Sequence, residues 1–217
     1  MRHGEVAYFE PGGRPVEPGA VPLTAAGIEQ ARAAARALDG VSLDRVITSG
    51  MPRAVETARI VAPANEAETW PELHEIRGGR LSDIADHELE EAFTGALRGV
   101  VPEERRFLGG ETTGSMLDRV LPAFERLTAD TSWSTALAVL HGAVNRAILS
   151  YALTGQRLLL GGLEQAPGCI NILDYGDADG WVVRAVNHAP YDPVHTTGRT
   201  TTMEDLLAGY LPFRQGP

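Results

Sequence analysis

Arg2-His3-Gly4-Glu5 opens the chain, Thr48-Ser49-Gly50-Met51-Pro52-Arg53 lies near its first quarter, and His141-Gly142 follows an apolar run. Two imidazoles and two guanidiniums brought to one place could surround a single tetrahedral dianion. A guanidinium fork pairs with two oxygens at once, and an imidazole changes charge near neutral pH. The remaining histidines, His74, His87, His188 and His195, have no ligand-like spacing and the chain holds one cysteine, so no metal site is expected. Cys169 sits in an apolar stretch and reads as a small core residue.

Elements must bring these stretches together. Thr24 reads as an N-cap, and Ile28, Ala31, Ala35 and Leu38 form a helical stripe closed by Asp39-Gly40. Val46-Ile47 is a short strand core, followed by a turn at Thr48-Ser49-Gly50. Pro52 then suits the first position of a helix reaching about Ala62. Residues 10–22 and 63–81 read as loops, Ile84 to Phe93 as helical, and Val100 to Gly110 as loop. A helix over Thr113 to Ala129 presents Met116, Val120, Phe124 and Leu127 on one face as core, and Pro122 inside it predicts a kink.

Ala136 to Leu140 suits a buried parallel strand, and Ala143 to Leu153 a helix stopped by Gly155. Cys169 to Leu173 and Trp181 to Val186 read as strands, with a turn over Asp174 to Gly180. A short last helix is expected near Met203 to Ala208. Strand and helix alternate without a break in composition, so one α/β domain over residues 1–217 is expected. In such folds ligands bind at the carboxyl ends of strands, where Ser49 to Arg53 and His141 lie.

Composition sets the outer bounds. The chain has 217 residues, 43% of them apolar, which suits one well-cored domain. No apolar run approaches the roughly 20 residues that span a bilayer. A cytoplasmic protein without a membrane partner is therefore expected. The net charge of −10 argues against a nucleic-acid partner and requires any anion site to be a local cluster of positive groups.

Arg2-His3-Gly4-Glu5, followed by Leu23-Thr24 with Gly27 and Gln30-Ala31, resembles the first block of the histidine phosphatase superfamily, the phosphoglycerate-mutase-like fold. Thr48-Ser49 with Arg53-Ala54 and Thr57-Ala58 is similar to its second block. Leu73-His74-Glu75 with Gly78 resembles the block that bears the acid, and Gly110-Glu111-Thr112 and Leu140-His141-Gly142 resemble the last two. Five blocks in the family's order are a specific signal.

The resemblance implies a three-layer α/β/α architecture with a mostly parallel central sheet. It implies that His3 attacks phosphorus and becomes a phosphohistidine, for which it must be neutral. Arg2 and Arg53 would bind the phosphate oxygens, joined by His141 if protonated, so that no cofactor is required. Glu75 would be the general acid and then the base, with a pKa expected to be raised by burial or by the phosphate. The implied substrate is a small phosphomonoester. Ser49, Glu111, Thr112, Tyr8, Phe9 and Arg14 are secondary candidates with equally good roles in turns, caps and packing.

Two departures from the family pattern matter. Mutases of the superfamily usually continue with Ser-x-Trp-Asn and carry Glu-Arg-x-Tyr-Gly at the acid. Here Val6-Ala7-Tyr8-Phe9 and Glu75-Ile76-Arg77-Gly78 stand instead, which favours a phosphatase over a mutase-like transferase or a non-catalytic phosphoester-binding module. The family's nucleophile also ends an apolar strand, whereas only Met1 precedes Arg2. The expectation is that a first strand is missing and that the natural start lies upstream, because short terminal segments fray unless tied down.

Overall fold

Val46 and Ile47 point to opposite faces of one strand, and the division of the core follows from that alternation. The structure, a computed structural model, describes residues 1–176 and 180–215. Strand β1 (Arg45–Thr48) lies between β2 (Ala67–Thr69) and β4 (Ala136–Val139), parallel to both. Val46, Leu137 and Val139 face a layer that holds α1 (Ala25–Ala37) and α2 (Pro52–Val61). Ile47 and Leu140 face α4 (Thr113–Ala129) and α5 (Gly142–Thr154). This is the expected sandwich of helices about a parallel sheet.

Beyond β4 the sheet continues through the first residues of the chain. Leu140 N–H donates to Met1 O at 2.9 Å and His3 N–H to Leu140 O at 3.0 Å, while Arg2 N–H reaches Cys169 O on the other side at 3.0 Å. Met1–His3 thus occupies the central position expected of a first strand, with one parallel bridge, Arg2 to Leu140. Met1, Arg2 and His3 are all buried, and both edges of the segment are hydrogen-bonded.

The helical face of α1 is rotated from the predicted stripe. Gly27, Ala31, Ala33 and Ala34 are its buried residues, while Ile28 and Ala35 are only half-buried. The reason is backbone approach: a Cβ on Gly27 would lie 2.2 Å from Glu5 O, and one on Gly4 would lie 2.4 Å from Gly27 O. Thr24 caps the helix as expected, accepting from Gly27 N–H at 3.0 Å. Helix α4 runs through Pro122 unbroken.

Between β2 and α4 the structure is more ordered than the loops predicted there. It holds β3 (Val100–Val101), paired antiparallel with β5 (Leu159–Leu160), and several 3-10 turns, one at Pro71–Leu73 just before Glu75. The helix expected over Ile84 to Phe93 shrinks to α3 (Leu89–Thr94) behind a 3-10 turn. Strands β6 (Ile170–Gly176) and β7 (Gly180–His188) form the predicted hairpin; residues 177–179 of its turn lie outside the described residues. The last helix, α6 (Thr202–Gln215), is longer than expected and packs on α3.

Candidate active site

His3 is delivered by the backbone pairing of Met1–His3, and His141 by the end of β4, two adjacent strand ends. Their rings meet edge to face with centroids 5.2 Å apart. Arg53 enters from the first turn of α2, where Pro52 at the helix start needs no hydrogen-bond donor. Glu75 comes from the segment after the 3-10 turn and reaches the N-terminus of α5, where its carboxylate accepts Ala143 N–H at 3.2 Å. Arg2, Arg53 and Glu75 line one cavity of about 630 Å³. A Cβ on Gly142 would lie 3.5 Å from Glu75 Oε2 and 3.9 Å from Arg2 Nε. The five residues singled out from the sequence therefore converge.

The hydrogen bonds specify how each group is held. His3 Nδ1 meets Gly4 O at 2.7 Å, so the Nδ1–H tautomer leaves the Nε2 lone pair facing the site. Arg53 Nε donates to that nitrogen at 3.1 Å, and Arg53 Nη1 donates to Pro18 O at 2.7 Å. Arg2 Nη1 donates to Gln165 O and to Thr202 Oγ1, which comes from α6. His141 Nε2 meets Ser49 Oγ at 2.7 Å. Among the described residues two buried side-chain nitrogens lack a partner, Arg2 Nε and His141 Nδ1. Buried polar atoms are rarely left unsatisfied, so both point to a ligand with acceptor oxygens.

Burial, with the Arg2 and Arg53 charges adding to it, holds His3 well below the ordinary imidazole range. The same burial, reinforced by His3 and the two arginines, does this to His141. The neutral His3 expected of a nucleophile is thereby favoured. The condition set for His141, that it donate if protonated, is not favoured in the free protein, where burial and the neighbouring positive groups hold its ring neutral. With Ser49 O–H donating to Nε2, the neutral ring carries its proton on the unpartnered Nδ1 and can donate without a charge.

Sequence reasoning missed the residues that brace the site. Arg119, on α4, pairs with Glu111 through Nε and Nη2 at 3.0 Å each. Its Nη1 donates to the carbonyls of Glu72 and His74, and its Nη2 to that of Glu75 at 3.3 Å. Glu111 also accepts Arg77 N–H at 3.0 Å, so one ion pair grips the acid-bearing segment on both sides of Glu75. Arg146, one turn into α5, is buried beside Gly142 and paired with Glu164 at 2.6 Å. Neither arginine carries a sequence signal, since each is a helical arginine like any other.

Of the secondary candidates, Ser49 touches His141, Glu111 braces the acid segment, and Thr112 caps α4 by accepting Ser115 N–H. Tyr8 lies under the Arg53 guanidinium at 5.7 Å and lines the cavity with Phe9, whereas Arg14 pairs loosely with Glu10 on the surface. Cys169 is buried as expected. Among the described residues, no three His, Cys, Asp or Glu side chains are grouped as metal ligands, and no helix is long and apolar enough to cross a membrane.

Residues 1–189 match the model of the histidine phosphatase superfamily, branch 1. Probable phosphoglycerate mutase GpmB of Proteus mirabilis is 30% identical over 171 residues, covering 75% of this chain and 79% of that protein. Phosphoglycerate mutase-like protein 4 of Arabidopsis thaliana is 25% identical over 184 residues, 76% of this chain and 73% of that protein. Among solved structures, the alpha-ribazole phosphatase of Shigella flexneri superposes with a TM-score of 0.67 at 25% identity, over 86% of this chain and 94% of its own.

Proposed function

Because the chain belongs to the histidine phosphatase superfamily, we propose that it hydrolyses small phosphomonoesters through a phosphohistidine on His3, without a metal. The observation that carries this reading is the state of His3: buried, neutral, fixed through Nδ1 by Gly4, and presenting Nε2 between the guanidinium of Arg53 and the ring of His141.

The His3 Nε2 lone pair attacks phosphorus as the ester P–O bond breaks with its electron pair on the leaving oxygen. Arg2 and Arg53 bind the equatorial oxygens, where phosphoryl transfer needs charge compensation, and His141 donates from Nδ1. Glu75, as the carboxylic acid, protonates the departing alkoxide and the alcohol leaves. The Glu75 carboxylate then takes a proton from water as its oxygen attacks phosphorus. The P–N bond breaks, returning neutral His3, inorganic phosphate and protonated Glu75. Positioned acid–base groups contribute about 10²–10⁴ in rate.

A second reading is supported by the curated relatives, both named as phosphoglycerate mutases or mutase-like. In it, the phosphoryl group on His3 passes to a sugar-phosphate acceptor instead of water. The stretches Val6 to Phe9 and Glu75 to Gly78 weigh against it. One experiment tests both: rapid-quench labelling with a radiolabelled aryl phosphate in excess EDTA, on wild type and His3→Ala. Hydrolysis with an acid-labile, alkali-stable phosphoprotein, lost in His3→Ala, is expected. Transfer to added phosphoglycerate in preference to water would favour the mutase reading, and loss of activity in EDTA would overturn the metal-free mechanism.

A further inference from the structure

We propose that the alcohol released from the substrate is apolar, an alkyl or aryl group rather than a sugar, an amino acid or a glycerate. The inference rests on the phosphatase reading above and deepens it. The cavity that Arg2, Arg53 and Glu75 line holds about 630 Å³, within the range that takes a ligand far larger than a phosphate. Its lining also includes Phe9, Leu81, Phe93, Leu97, Phe107 and Leu206. Phe93 belongs to the buried cluster that packs α3 against α6, and the other five, partly buried, pack against that cluster, so the wall is continuous with a built core.

The lining also carries charged groups, the exposed Glu17 among them. Arg2 and Arg53 lie at the His3 end. Arg146, the other buried cation of the lining, is neutralised by Glu164 and by Gly161 O. Arg77 and Arg80 flank Gly78-Gly79 and are exposed, so water competes for them. A carboxylate or a set of hydroxyls placed against the phenylalanine and leucine walls would lose water without gaining partners, which is costly. A hydrocarbon placed there gains about threefold to fourfold in affinity for each methylene removed from water.

The test is the specificity constant for ethyl, butyl, hexyl and octyl phosphates, with glycerol 3-phosphate and phosphoserine alongside, all in EDTA. The alkyl series holds the leaving-group chemistry nearly constant, so its slope reads burial. We expect kcat/KM to rise more than tenfold from ethyl to hexyl phosphate and to exceed that of both polar esters. Leu206→Gln, a half-buried position on α6, should flatten the series while the melting temperature stays close to wild type. A flat series in an active wild-type enzyme, or faster turnover of glycerol 3-phosphate or phosphoserine than of hexyl phosphate, would overturn the inference and leave the phosphatase reading standing. Absence of turnover with every ester, 4-nitrophenyl phosphate included, would overturn both.

Discussion

Arg53 Nε donates to His3 Nε2 across 3.1 Å, so the guanidinium holds the nucleophilic lone pair in place before any substrate arrives. Burial keeps His3 neutral, and the Arg2 and Arg53 charges add to it, since a proton on Nε2 would face the Arg53 guanidinium at close range. In the proposed reaction, substrate entry would transfer that guanidinium from the imidazole to a phosphate oxygen. The exchange replaces one hydrogen bond with a charge-assisted one and frees the lone pair at the moment it is needed.

Arg53→Lys should therefore be severely impaired. An ammonium cannot serve His3, Pro18 O and a phosphate oxygen from one planar fork. A loss of about 10²–10³ in kcat is expected, the size found when one charge-stabilising donor is removed. Steady-state hydrolysis of 4-nitrophenyl phosphate reads it, and a loss under tenfold would show that Arg53 does not act on the transition state.

Stability should fall on mild acidification. His3 and His141 are held neutral in the folded protein, whereas in the unfolded chain each binds a proton below about pH 6.5. Below that value the unfolded state holds more protons, so stability decreases as pH drops, by about 1.4 kcal/mol per unit for each histidine. Urea denaturation between pH 7.5 and 5.5 measures the slope. His141→Gln should roughly halve this part of it, and an unchanged slope would place the acid sensitivity elsewhere.

Arg119 should matter for some substrates and not for others. It holds the carbonyls of Glu72, His74 and Glu75 and the carboxylate of Glu111, and so aims the proposed proton donor. Arg119→Lys should lower kcat about tenfold or more for an alkyl phosphate, whose alkoxide needs a proton, and much less for 4-nitrophenyl phosphate, whose phenolate leaves unaided. Equal losses on both esters would mean that the residue acts on the fold alone.

Gly27→Ala tests the close approach of α1 to the segment after the nucleophile. The added Cβ would lie 2.2 Å from Glu5 O, a backbone atom that cannot swing aside. A destabilisation of about 1–3 kcal/mol by chemical denaturation is expected. Because the strain falls next to Gly4, which orients His3, kcat should drop as well. A variant as stable and active as wild type would show that the helix shifts freely.

What was legible in the sequence is what depends on local pattern and on block order. Val46-Ile47 and Ala136 to Val139 became the parallel core strands, because short apolar runs bounded by turns have few other places to go. Thr24, Pro52 and Gly155 bounded helices through their own backbone chemistry. Arg2, His3, Arg53, Glu75 and His141, each singled out beside a glycine, a turn or a strand end, are brought together by the fold. The short pair of β3 with β5 and the shrunken α3 were not legible, since two- and six-residue elements carry too little periodicity.

Other features were settled only by tertiary contact. The buried face of α1 follows from the backbone of Glu5 meeting Gly27, not from the placement of Ile28. His3 is seated by Leu140 and Cys169, which bond Met1–His3 on either side. The charge state of His141, left open by the sequence, is set by burial and by the two arginines and second imidazole that share its site. By itself the sequence determined which side chains could meet a phosphate, since residue type and local turn chemistry are properties of the chain. Which atom of each faces the site, and in what charge state, was decided by the fold, because hydrogen-bond geometry and desolvation depend on neighbours 50 to 160 residues away.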